Sequence, residues 1–273
     1  MNHHWQQALT DFVHKYPRMM AITGAGISAG SGIPTYRDDS GNWQSRKPIQ
    51  HDEFIKDAKQ RQRYWSRSAV GWPAISTAQP NRAHHALAQL EQAGAIDLLV
   101  TQNVDRLHQR AGHQQVVDLH GRLDQVVCLS CQQVEKRDQL QTRLLQSNPS
   151  LLGFKAELRP DGDADLNDQL MSTIQPPDCL LCEGILMPDV VFFGGNVPKA
   201  RQQTAIQALE RADALVVIGS SLTVYSGFRF CRIANNTNTP ILIINRGKTR
   251  ADDMATLKID EDCAEVLEAW ALI

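Results

Sequence analysis

The residues best suited to chemistry are four cysteines in two pairs, Cys128-Leu-Ser-Cys131 and Cys179-Leu-Leu-Cys182. Two C-x-x-C knuckles supply four thiolates, the ligand set of a closed tetrahedral zinc site with no open catalytic position. The segment 132–178 between them exceeds the roughly 15–20 residues of a compact zinc ribbon and reads as an insertion. Redox thiols are the alternative use of the same spacing. Within the insertion, Asp161-Gly-Asp-Ala-Asp165 reads as a solvated loop. A calcium loop is disfavoured, because Gly162 falls at the second position rather than the sixth and no glutamate closes the motif.

A second candidate is GAGISAGSGIPTYRD, Gly24 to Asp38, which follows the apolar run Met19-Met20-Ala21-Ile22. A strand ending in closely spaced glycines is the usual opening of a dinucleotide site. Gly24 would allow a tight turn, Gly26 would let the backbone approach a pyrophosphate, and Ala29 would take the small position where helix packs on strand. Amides at the start of the following helix would face phosphate. A glycine-rich surface turn is the alternative. The acidic residue expected about 20 residues on, after a second strand, is missing, and Arg37, Asp38, Asp39 and Ser40 follow directly. Asn245, at the end of a later strand, is the candidate replacement as ribose anchor.

Gln102-Asn103-Val104-Asp105-Arg106-Leu107-His108 follows the buried-strand pattern Ile96–Thr101. Polar residues there either face a ligand crevice or cap a helix start. His120-Gly121 ends another short strand, 116–119. A histidine so placed is a candidate general base, since its ordinary pKa near 6.5 suits proton transfer around neutrality; a packed or solvated side chain is the alternative. His84 and His85 are adjacent and face different directions, so packing or capping is favoured over a metal pair. Cys231, in an apolar stretch, reads as packed.

These residues need a scaffold. Trp5, Leu9, Phe12 and Val13 form one helical face closed by Pro17. Residues 40–80 show little strand character; Phe54, Ile55, Ala58, Tyr64 and Trp65 suggest short helices, broken at Gly71-Trp72-Pro73. A helix over 83–92 has Gly94 as its C-cap. An extended apolar segment covers 186–195 and an amphipathic helix 198–211. Strands at 214–218, 240–244 and 257–259 precede a last helix over 262–270. Strands alternating with helices predict an α/β fold: a doubly wound parallel (Rossmann-like) sheet with a smaller zinc-binding and helical domain formed by two insertions. The sheet domain takes 1–38, 83–121 and 188–273. The helical module takes 39–82 and the zinc-binding module 122–187, packed together over the crevice.

The 273 residues are 42% hydrophobic with a formal net charge of −2. That balance gives no electrostatic case for nucleic acid or a membrane surface, and no apolar run approaches a membrane span. The start, MNHHWQQALTDFVHKYP, lacks the apolar core of a secretory signal, so a cytoplasmic protein is expected.

Taken in order, GAGISAGSGIPTYRD, TQNVDRLH, LHG, the two C-x-x-C pairs, FFGGNVP, GSSLTV and INRG resemble the sirtuin family of NAD-dependent protein lysine deacylases over nearly the whole chain. RQRYWSRSAVGWP, LMPDVVFFG, SLTVYSGFRF and TRADD are most similar to its class II branch, which includes a mitochondrial sirtuin of animals. With no mitochondrial presequence, a bacterial or already trimmed form is implied.

The resemblance implies NAD as co-substrate and one structural zinc ion. Gly24, Ala25, Gly26, Ser28 and Ala29, with the loop Ile33, Pro34, Thr35, Tyr36 and Arg37, would wrap the pyrophosphate and nicotinamide ribose. Gln102, Asn103 and Asp105 would line the nicotinamide pocket, the last two forming the catalytic set with His120 as general base. Gly219, Ser220 and Ser221 would contact the adenosine side, Asn245 the adenine ribose beside Arg246 and Gly247, and Cys263 the adenine. Val191, Phe192, Phe193, Gly194 and Val224 would bind the substrate, with the FFG segment pairing to a peptide as an added strand. Gly195 stands where many members carry an acid, which would loosen that pairing. Tyr64-Trp-Ser-Arg67 has the Y-x-x-R spacing that holds acidic acyl chains in the class III branch; a salt bridge within the small domain is the alternative use of Arg67.

The implied reaction joins the acyl oxygen of an acylated lysine to the ribose carbon of NAD as nicotinamide leaves, with His120 then taking a ribose hydroxyl proton. Its products are nicotinamide, O-acyl-ADP-ribose and free lysine. Class II relatives add branched acidic acyl groups, lipoyl removal and mono-ADP-ribosyl transfer. The rival readings are a protein mono-ADP-ribosyltransferase and a non-catalytic NAD or ADP-ribose sensor. A hydride-transfer enzyme is disfavoured by the missing ribose acid. The expected partners are acylated lysine side chains, with no nucleic acid and no membrane, and the expected state is a monomer.

Overall fold

The computed structural model describes residues 5–36, 48–154, 156, 158–159 and 162–273. Its strands are β1 (Met19–Thr23), β2 (Ile96–Thr101), β3 (Val116–Asp118), β4 (Gly121–Cys128), β5 (Val134–Lys136), β6 (Leu158–Arg159), β7 (Asp163–Ala164), β8 (Leu186–Val190), β9 (Ala214–Ile218), β10 (Ile241–Ile244) and β11 (Leu257–Ile259). Its α-helices are α1 (Gln6–Lys15), α2 (His51–Lys56), α3 (Ala58–Thr77), α4 (Arg82–Gln92), α5 (Leu107–Arg110), α6 (Arg137–Ser147), α7 (Asp168–Met171), α8 (Lys199–Arg211), α9 (Tyr225–Asn236) and α10 (Cys263–Trp270). No described helix is long and apolar enough to cross a membrane.

The first sheet has the order β11-β10-β9-β1-β2-β3 and is parallel throughout. Alternation along each strand divides its side chains between two layers. Met19 and Ala21 of β1 join Leu99, Val216 and Leu242 under α1, α4 and α10. Met20 and Ile22 join Val100, Leu215, Val217 and Ile243 under α8 and α9. Every residue of β1 is therefore buried, as a parallel strand covered on both faces requires. Each fully buried aliphatic side chain contributes roughly 1.5–3 kcal/mol. The strand order turns back between β1 and β9, and ligands bind outside the carboxyl ends of strands at such a point.

The extended segment predicted at 186–195 supplies β8, which joins a second, antiparallel sheet in the order β5-β4-β8. Phe54, Trp65 and Ala69, from α2 and α3, share one apolar cluster with Val126, Leu140, Leu144 and Leu186. A smaller cluster of Ile33, Trp72, Ile75, Val104, Leu107 and Leu123 spans the junction with the parallel sheet.

The structure corrects three expectations. Gly71-Trp72-Pro73 does not break a helix; α3 runs through it. Pro73 cannot donate to the carbonyl four residues back, which normally costs about 3 kcal/mol or more. Here the Gln141 side-chain amide from α6 donates to that carbonyl, Ala69 O, at 2.7 Å, and the Trp72 indole donates to Asp138 at 2.8 Å. Asp161 lies outside the described residues, but the rest of the 161–165 run is not simply a solvated loop: Asp163–Ala164 pairs with Leu158–Arg159, and Ala164 is buried. Finally, α9 was not anticipated, although Gly227, Phe230, Cys231 and Ala234 bury one face at helical spacing. Cys231 is packed there, as expected.

Candidate functional site at the strand tips

The loop after β1 departs from the sequence expectation in its local geometry. Gly24 is extended, with φ −135° and ψ −170°, rather than in a tight turn, and residues Ala25–Ser31 form a 3₁₀ helix rather than an α-helix. The glycines instead serve each other. Gly26 N–H donates to Gly219 O at 2.9 Å. A Cβ on Gly24 would lie 2.7 Å from Ser220 Cβ, and one on Gly26 would lie 2.9 Å from Gly219 O. Ala29 is exposed, so the helix-packing role expected of it is not seen; Ile27 makes that contact from a buried position. The Asn81 amide, at the N-cap of α4, ties the loop from outside by donating to Ile27 O at 2.8 Å and Ser31 Oγ at 3.0 Å. His84 shares that cap, its Nδ1 accepting from Asn81 N–H.

A cavity of about 540 Å³ opens between this loop and the tips of β2 and β9. Gly24, Ala25, Gly26, Thr35, Tyr36, Gln102, Asn103 and His120 line it. Beside it lies a small recess reached by Ser28, Ile33, Pro34 and Asp105. Asn103 Nδ2 donates to Gly24 O and to Ser28 Oγ, each at 3.0 Å. Ser28 in turn donates to Asp105 at 2.7 Å, and Leu107 N–H donates to the other carboxylate oxygen at 2.9 Å. Burial pushes the Asp105 pKa up; the bonds from Leu107 and Ser28 pull the other way. Asp105 thus satisfies the first backbone amide of α5 and lines the recess at once.

His120 stands between β3 and β4. Its Nδ1 lies 3.1 Å from Gln102 O and its Nε2 lies 2.7 Å from Ser226 Oγ. A carbonyl only accepts, so the neutral ring carries its proton on Nδ1 and presents a lone pair at Nε2. Burial lowers its pKa to about 4, against the bond it donates to Gln102 O, which raises it. At neutral pH the ring is therefore an uncharged base. The next residue, Gly121, has φ +89°, and a Cβ there would lie 2.0 Å from Asp189 O. Only glycine allows β4 to leave so close to the end of β8.

Gly219, Ser220, Ser221, Asn245 and Arg246 also line the cavity. Gly247 and Cys263 do not. The Cys263 thiol points back to Ile244 O at 3.6 Å, and burial raises its pKa to about 12. Arg37 lies outside the described residues.

The remaining wall comes from the second lobe and α9. Tyr64, Arg67, Val191, Phe192, Phe193, Gly194 and Val224 all line it. Phe192 is buried and stacks on Phe54 at 5.0 Å, so its ring is also core. Val191 N–H donates to His120 O at 2.7 Å, and Phe193 O accepts from His51 N–H at 2.8 Å. Arg67 donates from Nε to Ala164 O at 2.9 Å and lies 3.8 Å from Asp165. Arg159, Lys248 and Ser226 line the same cavity and were passed over in the sequence. No motif spacing marked Arg159 or Ser226; the helical periodicity of α9 marks its buried face, Gly227, Phe230, Cys231 and Ala234, not the use of Ser226.

The four cysteines converge. Their sulfurs lie within 4.8 Å of one another, with Cys128–Cys182 at 3.5 Å and Cys131–Cys179 at 3.7 Å. A tetrahedron with zinc–sulfur bonds of about 2.3 Å has edges of about 3.8 Å, so the cluster fits zinc. The knuckles match each other. Gln132 and Glu183, each following a second cysteine, have φ of 62° and 56°. Cys128 N–H and Cys179 N–H donate to Gln133 O and Gly184 O.

The sequence model described as the Sir2 family matches residues 24–226. The chain belongs to the Sir2 family. It is 50% identical over 264 residues to a Xanthomonas axonopodis pv. citri protein named NAD-dependent protein deacetylase, covering 97% of this chain and 90% of that one. It is 45% identical over 262 residues to a Bos taurus protein named NAD-dependent protein lipoamidase sirtuin-4, mitochondrial, covering 95% and 83%. Among solved structures, this sirtuin matches a Sir2 complex with a p53 peptide and NAD+ at TM-score 0.74 and 29% identity, over 96% of this chain and 95% of that one. The similar structures thus include one with peptide and dinucleotide bound together.

Proposed function

We propose that this sirtuin is an NAD-dependent protein lysine deacylase, yielding nicotinamide, O-acyl-ADP-ribose and free lysine. The observation that carries the reading is His120, a part-buried imidazole lining the cavity, with Nδ1 committed to a backbone carbonyl and Nε2 meeting Ser226 Oγ, which lines the same cavity. The Xanthomonas relative's name and the Sir2 complex with peptide and NAD+ support it.

In this reading, bound NAD supplies an electrophilic ribose carbon, and the protein holds and orients it. The interlocked Gly24, Gly26 and Gly219 let the backbone of both strand tips approach the pyrophosphate. Ser220, Ser221, Asn245 and Arg246 hold the adenosine half. Asn103, fixed by Gly24 O and Ser28, and Asp105 hold the carboxamide ring in the recess and keep water from it. His120 Nε2 then accepts a proton from a ribose hydroxyl, a service worth about 10²–10⁴-fold. The four cysteines hold one structural zinc ion, and no step passes through it. The protein acts as a cytoplasmic monomer on acylated lysines.

The outer wall favours an acyl chain with a distal carboxylate. Tyr64, Arg67 and Arg159 line the same cavity; both arginines pair with Asp165, the salt bridge weighed as the other use of Arg67, so a substrate carboxylate would take the place of Asp165 there. Arginine pairs with carboxylate bidentately. Assays of acetyl-, succinyl-, methylglutaryl- and lipoyl-lysine peptides, with and without Arg67→Met, test this; an unchanged ranking removes the acidic-acyl reading.

The main test is product analysis. The zinc-loaded protein with NAD and acyl-lysine peptides should release nicotinamide and O-acyl-ADP-ribose together. His120→Ala should keep NAD binding and lose turnover. ADP-ribosylated protein without O-acyl-ADP-ribose would instead indicate a transferase.

A further inference from the structure

We infer that Ser226 is a positioning residue for the base, resting on the reading of His120 given above. Ser226 lies in the first turn of α9, far from His120 in the chain, and its Oγ is 2.7 Å from Nε2. Three groups act on the ring. Gln102 O fixes Nδ1, Ser226 Oγ meets Nε2, and the Arg201 guanidinium opposes a positive ring through space. With the Nδ1 proton committed to a carbonyl, the hydroxyl donates to the Nε2 lone pair of the neutral ring. For Nε2 to take the ribose proton, the Ser226 hydroxyl first rotates its own proton off that lone pair; once the ribose O–H bond has broken and Nε2–H has formed, Ser226 Oγ accepts from Nε2–H, because serine is both donor and acceptor.

That exchange matters in a buried site. A charged ring left without a partner at Nε2 would cost more than a neutral one, since bonds to charged groups are the stronger. Ser226 therefore favours proton uptake by a ring whose burial and Arg201 neighbour resist it.

The backbone secures the placement. A Cβ on Gly227 would lie 2.5 Å from Gln102 Oε1, so α9 sits directly on the Gln102 side chain. That side chain donates to Thr23 O at 3.2 Å and Ser220 Oγ at 2.8 Å. One residue thus holds the ring through its carbonyl and seats, through its amide, the helix that brings Ser226.

The test uses the full-length, zinc-loaded protein with ¹⁵N-labelled histidine, near pH 7.5. Wild type should show His120 protonated on Nδ1 and bare on Nε2. In Ser226→Ala the Nε2 resonance should move toward its unbonded position, with Nδ1 still protonated. kcat should fall about tenfold, the equivalent of roughly 1.4 kcal/mol, with KM for NAD within about twofold. Ser226→Thr should recover most of kcat. Ser226→Ala with unchanged kcat overturns the inference while leaving His120 as base, whereas an Nε2-protonated wild-type ring removes both the inference and the role given to Nε2. An active His120→Ala protein removes the base itself, and the inference with it.

Discussion

Gly26 and Gly219 lock together across the tips of β1 and β9, the amide of one bonded to the carbonyl of the other at 2.9 Å. Gly219 has φ +59°, and a Cβ there would lie 2.6 Å from Ile27 N. Gly219→Ala should therefore force the two tips apart, through both backbone strain and contact. The expected outcome is a loss of about 2 kcal/mol or more in urea unfolding, with NAD affinity weakened at least tenfold by calorimetry. Unchanged NAD binding would show that this interlock does not shape the cleft.

Stability should fall on acidification before most carboxylates titrate. Burial lowers the pKa of His84 to about 3 and of His120 to about 4, and lowers those of His108 and His113 as well. The unfolded chain takes up these protons near pH 6.5, the folded chain at lower pH, well below that value for His84, His108 and His120 and lower for His113, where Glu91 opposes the effect of burial. Between those limits the unfolded state binds more protons, so stability is lost as pH falls, at up to about 1.4 kcal/mol per pH unit for each histidine. Urea unfolding at intervals from pH 7.5 to 5 measures the slope; a flat profile would contradict it.

Chelation of zinc should unfold the lobe around the two knuckles. Cys128 and Cys179 are buried in the same apolar cluster as Trp65 and Leu140, so loss of the ion reaches the core directly. Near-ultraviolet circular dichroism should collapse with a strong chelator and recover with added zinc. A signal indifferent to the chelator would count against a structural ion.

Gln141→Ala should strand the Ala69 carbonyl inside α3, costing about 1–3 kcal/mol. Pro73→Ala would supply an N–H for the same carbonyl, and the two changes should then couple. A double-mutant cycle in urea should show Gln141→Ala to be at least 1 kcal/mol milder on the Pro73→Ala background. Strict additivity would mean the amide does not replace the missing backbone bond.

The parallel sheet was legible because its strands are uninterrupted apolar runs such as Ala214–Ile218, which a doubly covered strand requires. The convergence of the cysteines was legible from spacing. Local chemistry misled where a distant side chain supplied what the local sequence lacked: Pro73 is tolerated because of Gln141, far along the chain. Ala29 fitted a fingerprint written for an α-helix, but a 3₁₀ helix rotates that position to the surface. Ser226 gave no chemical sign at all, because its use depends on where α9 docks on Gln102.

The close crossing of Gly121 and Asp189 has a mechanical corollary. There the chain departs for the zinc-bearing lobe and comes back from it, one residue from the imidazole. The ring of His120 is thereby anchored from two strands at once, by the departure of β4 at Gly121 and by the amide of Val191 just past β8, which donates to the His120 carbonyl.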